Sequence, residues 1–150
     1  MTLKSTTILT AAALVAAAGS ANAQSLVMTS GSQGGTWFPM AGAIKSVVEE
    51  AMPDVSIQVR PGGGLANLKA IDVGQAQLAV GNTISTVDAR NGVEPFDAPV
   101  ESVCHISYMY PQYIQAVAVN MDVEGIDDLE GKRMATTPRG NTAEQVARFT

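Results

Sequence analysis

Four times along this chain a short strand-like run passes through a small polar turn into the start of a helix. The turns are Gly31–Thr36, Pro61–Asn67, Gly81–Thr83 and Pro138–Thr142. This alternation constrains the fold more than any other feature. Strands that alternate with helices form βαβ units, whose crossovers make the sheet mainly parallel. In an open parallel sheet such turns lie at the carboxyl edge, where ligands bind. Helix N-termini there present unpaired N–H groups and partial positive charge, which favour a carboxylate or phosphate. Glycine allows close backbone approach, but it also simply makes a tight turn, and for one turn alone that reading suffices. Recurrence at four turns favours a site where they converge on one anion.

The elements follow from periodicity. Ser25–Ser30 reads as a strand. Trp37–Met52 reads as a helix, with Met40, Ile44, Val47, Val48 and Ala51 as its buried stripe and Lys45, Glu49 and Glu50 on its wet face. Pro39 falls in the first turn, where its missing N–H costs nothing. Val55–Val59 alternates as a strand, and Leu65, Leu68 and Ile71 form a short helical stripe closed by Gly74. Gln77–Gly81 is a third strand, and a helix runs from Asn82-Thr83 to Asn91-Gly92. Residues 93–100 form a loop with two prolines. Val103–Met109 and Tyr113–Met121 are strand-like, separated by Tyr110-Pro111-Gln112. Ile126–Lys132 is one helical turn, capped by Asp127 and stopped by Gly131, and Arg133–Thr137 is a strand. A last helix starts at Asn141 or Thr142, with Ala143, Val146, Ala147 and Phe149 apolar.

The first 23 residues have the form of a secretory signal peptide: Lys4, an apolar run from Ile8 to Ala18, then Ala21-Asn22-Ala23. That run is far shorter than the roughly 20 residues needed to span a bilayer. Its removal leaves 127 residues with a net charge of −6, against −5 for the whole chain. An acidic chain without a basic run argues against nucleic acid and against an anionic membrane surface. Cys104 is the only cysteine, so neither an intrachain disulfide nor a cysteine-rich zinc site is possible. No cysteine follows Ala23 to carry a lipid, so no direct membrane anchor is expected. The reading is a periplasmic protein. The final helix stops without a glycine or proline beyond Phe149, so the chain is expected to be the first part of a longer protein.

Catalytic constellations are thin. Gly31-x-x-Gly34-Gly35-Thr36 lacks the lysine of a P-loop and the spacing of a dinucleotide fingerprint, so neither ATP nor NAD is expected, nor any other cofactor. His105 is the only histidine, which gives no two-histidine metal site and one candidate base. Cys104 reads as a small core residue. Asp127, Asp128 and Glu130 read as a cap and a solvated turn. Tyr110, beside Pro111, either faces a cleft or packs in a core. Arg60 and Arg139 each sit in a glycine-bearing turn, where each either pairs a carboxylate in bidentate fashion or lies in solvent.

Several segments resemble a known family in order along the chain. Gly34-Gly35-Thr36-Trp37 resembles the G-G-T-[YW] turn of the TAXI-type extracytoplasmic solute receptors of TRAP transporters. Gly63-Gly64-Leu65-Ala66-Asn67-Leu68 resembles their G-[GS]-x-x-N-L segment. Gln77-Leu78-Ala79-Val80 and then Asp88-Ala89-Arg90-Asn91-Gly92 resemble their D-L-[AG]-[IV] strand and D-A-x-x-G helix end, with Gln77 where Asp is usual. Asp128-Leu129-Glu130-Gly131-Lys132-Arg133 resembles the D-L-x-G-K-[RK] turn that many periplasmic binding proteins share. The resemblance covers Ser25–Thr150 and implies a periplasmic-binding-protein-like α/β fold of two lobes, the first nearly complete here and the second cut short. By that analogy residues 24–113 are the first lobe, 114–121 a crossing strand and 122–150 the start of the second lobe.

The resemblance also implies ligand-facing residues: Gly34, Gly35, Thr36 and Trp37 in the first turn, Asn67 in the second, Asn82 and Thr83 in the third, then Tyr110 and Thr142. Arg139-Gly140-Asn141-Thr142 replaces a G-S-G-T turn, and Ile84 stands where an acid is frequent. Arg60, Arg139 and Asn141 complete the candidate set, and the arginine at 139 suits an acidic ligand. The expected function is capture of a small organic anion, a dicarboxylate or acidic amino acid, and its delivery to TRAP transporter membrane subunits, without catalysis. The alternatives are a receptor-like sensor or surface module for a signalling partner, and an exported α/β enzyme that would use His105.

Overall fold

A computed structural model describes residues 23–119 and 122–149. The expected export signal lies, apart from Ala23, outside the described residues. Three strands form one parallel sheet: β1 (Gln24–Thr29), β2 (Val55–Arg60) and β3 (Leu78–Ala79), in the order β2-β1-β3. β1 is central. It pairs with β2 from Gln24↔Val55 to Thr29↔Arg60, and with β3 at Met28↔Leu78 and Thr29↔Ala79. The helices are α1 (Trp37–Ala51), α2 (Gly64–Asp72), α3 (Thr83–Asn91) and α4 (Thr142–Phe149), with a single 3-10 turn at Asp127–Leu129. This is a mixed α/β architecture built on a parallel sheet.

β2 shows the alternation that placed it. Val55 and Ile57 are buried and Val59 half-buried under α1, while Ser56, Gln58 and Arg60 face out. Met28, Ala41, Val55, Ile57 and Val80 form one core cluster, with Trp37, Met40, Ile44 and Val48 packed on it from α1. The α1 stripe is therefore rotated from the expected one. Ala41 takes an inner position, Ala51 is exposed, and Val47 is 66% exposed. Val47 and Val48 are neighbours about 100° apart on a helix, so both cannot sit at the centre of one face.

A second cluster joins Leu65 and Leu68 of α2 to Ala89 of α3, with Phe96 and Val100 supplied by the loop after it. That loop packs because backbone and cation contacts hold it. Val100 N–H donates to the Ala89 carbonyl, and Lys69 lies over the Phe96 ring while donating to the Pro95 carbonyl at 2.7 Å. Both helices end as their glycines require: Gly74 and Gly92 adopt φ of +72° and +65°, which side chains rarely tolerate.

Three expected strands are absent. Residues 103–109 and 113–119 form no ladder, nor does Arg133–Thr137; residues 120–121 lie outside the described residues. Their composition is strand-like, but a strand exists only with a neighbour to accept its N–H groups. Among the described residues no strand lies beside them. The 3-10 turn has no side-chain cap, so the cap expected from Asp127 is not formed; Asp128 instead ties down the backbone before the turn. Asp128 Oδ2 accepts the N–H groups of Glu124 and Gly125, both at 2.9 Å.

The outer edge of β2 carries its own guard. Glu49 of α1 reaches over to accept the Ile57 N–H at 2.6 Å, and Lys45 pairs with the same carboxylate. The backbone N–H first and then the ammonium hold the Glu49 carboxyl below its usual range. A carboxyl whose folded value is depressed stabilises the fold above its unfolded value near 4.3, and that contribution is lost as the pH falls through the lower folded value. Glu49→Gln keeps an acceptor for Ile57 but removes the charge. It should lower the melting temperature at pH 7, and the two proteins should converge as the pH falls below about 4. Parallel melting curves from pH 7 to pH 3 would contradict this account.

Candidate functional site

The site begins with Asn67. Its helix starts at Gly64, and position 67 on the first turn of α2 points the side chain back under the carboxyl edge of the sheet. Asn67 is 1% exposed. Its Nδ2 donates to the Ser30 carbonyl just past β1 and to the Val80 carbonyl just past β3, both at 2.7 Å. Its Oδ1 accepts the Gly63 N–H at 3.1 Å. One amide thus joins two strand ends to the second turn. It does so at the limit of space, because a Cβ on Gly62 would lie 2.0 Å from Asn67 Oδ1.

The first turn is tied to the second by the Gly62 N–H, which donates to the Gly31 carbonyl. Within it, Gly35 N–H donates to the Ser32 carbonyl, Gly34 faces open space, and Thr36 precedes α1 in a helical conformation with an exposed side chain. Trp37 is half-buried on the α1 core, and its indole N–H donates to Tyr110 Oη at 2.8 Å. Tyr110 therefore neither packs in the core nor stands free. Arg60 is exposed at the end of β2, with Nε and Nη2 both on Gln58 Oε1 along its own strand. Thr83 is exposed at the start of α3.

The fourth turn lies directly on the second and third. Leu65 and Ala66, at the start of α2, donate their N–H groups to the Gly140 carbonyl at 3.2 and 3.3 Å. Thr142 is buried; its Oγ1 accepts from Asn82 Nδ2 at 2.6 Å and meets Ser85 Oγ at 2.7 Å. One turn further on, Gln145 Nε2 donates to Asp88 Oδ2. Asn141 Nδ2 donates to the Pro138 carbonyl, while its Oδ1 faces Gly63. Ser30, Ser85, Asp88 and Gln145 were not among the sequence candidates. Ser85 carried a signal: it shares the inward face of α3 with Ala89, four residues on, so a hydroxyl there needs a partner.

Between the turns lies an open groove of about 540 Å³. Ser32 and Gln33 line it from the first turn, Pro61–Gly63 and Ala66 from the second, and Pro138–Asn141 from the fourth. Arg139 is the one charged side chain in that lining, and it is exposed. Of the candidate residues, Arg139 and Asn141 reach the groove. Asn67, Asn82 and Thr142 lie buried or half-buried beneath its walls, and Arg60 is turned along β2. His105 is exposed on the segment after the second core, and no group of three or more metal-ligating side chains occurs among the described residues. No helix among them is long and apolar enough to cross a membrane.

A parallel sheet whose turns collect on one groove is the plan of a periplasmic-binding-protein-like domain. The chain belongs to the NMT1-like family, whose profile matches residues 28–149, and this is a binding-protein family. No curated protein matches the chain significantly.

The Asn67 amide should be a stability element. Asn67→Ala leaves a buried N–H and two buried carbonyls unpaired, at about 1–3 kcal/mol each when left unsatisfied. The expected loss is about 3 kcal/mol or more by urea unfolding, with the denaturant slope unchanged. A loss under about 1 kcal/mol would show that other contacts hold the edge.

Proposed function

We propose that the protein is an exported solute receptor that captures a small organic anion, a dicarboxylate or acidic amino acid, in a cleft between two lobes and delivers it to the membrane subunits of a TRAP-type transporter. Family membership supports the binding role, and the observation that carries the solute class is Arg139 in the groove where three turns meet. The whole chain is acidic, at −5, so attraction for an anion has to be local. The Arg139 guanidinium, exposed in the groove, supplies it. Trp37, tied to Tyr110, is an apolar wall beside the first turn.

In this reading residues 1–23 are the export signal, 24–113 the first lobe, 114–121 the crossing segment and 122–150 the beginning of the second lobe. Binding proceeds by hinge closure of the lobes around the solute. No bond is made or broken, so the residues serve as donors and walls, not as nucleophile or base.

A thermal-shift screen of the natural full-length protein tests this. A true solute at a hundredfold excess over its dissociation constant adds about 2.7 kcal/mol of stability. Succinate, malate, glutamate and aspartate should contain at least one compound that raises the melting temperature in this way. Arg139→Gln should weaken binding of that compound about tenfold, the value of one charged hydrogen bond. No shift with any of the four, or a shift that survives Arg139→Gln, would remove the anionic-solute reading.

A further inference from the structure

The turn that carries Arg139 is held from its downstream side. Upstream, Arg133–Thr137 is exposed and joins no strand among the described residues. Downstream, the Gly140 carbonyl accepts the N–H groups of Leu65 and Ala66, and α4 begins two residues later at Thr142. What fixes α4 therefore fixes where Arg139 stands in the groove.

α4 docks on α3 by a polar face. Of its described side chains the buried ones are Thr142 and Gln145, while Ala143 is exposed and Val146 and Ala147 are half-buried. Thr142 and Gln145 are three residues apart and so share one face. They meet Asn82, Ser85 and Asp88, which recur at the same spacing from the N-cap of α3 onward. Thr142 Oγ1 accepts from Asn82 Nδ2 at 2.6 Å and meets Ser85 Oγ at 2.7 Å, and Gln145 Nε2 donates to Asp88 Oδ2 at 3.2 Å. The fit is close, since a Cβ on Gly64 would lie 2.1 Å from Thr142 Oγ1.

Such a seam is better at fixing register than at adding strength. Apolar burial is non-directional and tolerates sliding. Hydrogen bonds weaken steeply with poor distance and angle. Moving α4 by one residue advances it about 1.5 Å and turns it about 100°, which takes Thr142 and Gln145 off their partners together. Strength is not what the glutamine brings, because its Oε1 is buried without a hydrogen-bond partner among the described residues. An apolar side chain would avoid that cost.

We infer that Asn82, Ser85, Asp88, Thr142 and Gln145 are positioning residues for Arg139: the α3–α4 seam sets the register of α4 and, through it, the place of the guanidinium-bearing turn. Ser85, Thr142 and Gln145 are buried, so they act on a solute through Arg139 rather than by touching it. That action rests on the proposed solute reading; the register itself does not.

The test uses the natural full-length protein. Ser85→Ala and Gln145→Ala together remove one hydrogen bond at each of two points on the seam, whereas Asp88→Asn keeps an acceptor oxygen for the Gln145 amide. Amide hydrogen exchange reads the register. The combined variant should speed exchange at Leu65 and Ala66 about tenfold, as expected for the loss of two ordinary hydrogen bonds, with the β1–β2 ladder at parent rates. Asp88→Asn should match the parent at both places. Unchanged exchange at Leu65 and Ala66 overturns the register, as does a rise that includes the ladder, or one in Asp88→Asn equal to that in the combined variant. Succinate, malate, glutamate and aspartate are then titrated into the parent, the combined variant, Arg139→Gln, and all three substitutions together. An acid that binds the parent should bind the combined variant about tenfold more weakly, and the triple variant no more weakly than Arg139→Gln alone. Equal weakening in both backgrounds is what a general structural role gives, and it overturns the action through Arg139, as does undiminished affinity in the combined variant. If none of the four acids binds the parent, the solute reading falls, and the exchange result alone decides the register.

Discussion

A single uncharged amide holds the carboxyl edge of this domain together. Asn67 reaches from α2 to the ends of β1 and β3, and its carbonyl oxygen fixes the Gly63 N–H. Two donors and one acceptor are needed, in one plane, at the distance that a short side chain on the first helical turn can reach. Aspartate lacks the donors, and leucine of similar size would leave all three backbone groups unpaired in the interior. Everything that forms the groove stands on this tie. It places the second turn under the first, starts α2 in the direction that brings Leu65 and Ala66 to the surface of the fourth turn, and leaves Gly62 no room for a methyl group.

The electrostatics of the groove are those of dipoles more than of ions. Arg139 is the only formal charge in the lining, in a chain whose acids outnumber its bases by fourteen to nine. The net charge therefore gives an anion no long-range attraction, and the backbone N–H groups of Gly35, Gly62, Gly63, Leu65 and Ala66 bond to the protein's own oxygens at contact distance. The same geometry explains why the turns are rich in glycine. Backbone donors are of use only where another backbone, or a ligand, can approach them.

Much of the first half was legible because its signals are local. The extent of α1, the alternation of Val55–Val59, and the glycines after α2 and α3 each report a period or a dihedral angle that the residues themselves set. What could not be read depends on partners distant in sequence. Val103–Met109 is strand-like in composition, yet among the described residues no neighbouring strand accepts it. Phe96 and Val100 sit in a segment that reads as a loop with two prolines, and they help close the second core. At the site, the turns were visible as a repeated design. That Asn67 faces inward to backbone, and that Thr142 meets Ser85 across 57 residues of sequence, follows only from how the turns stack.

The run from Ile106 to Val119 has one more consequence. Ile106, Tyr113, Val117 and Val119 are between 78% and 100% exposed, in a backbone without ladder bonds. A largely apolar ribbon whose backbone joins no ladder offers a template to an extended chain. β2 answers the same hazard with a carboxylate on its edge; this ribbon carries no acid or base between Ile106 and Val119. An extended partner strand would cover both its apolar side chains and its backbone groups.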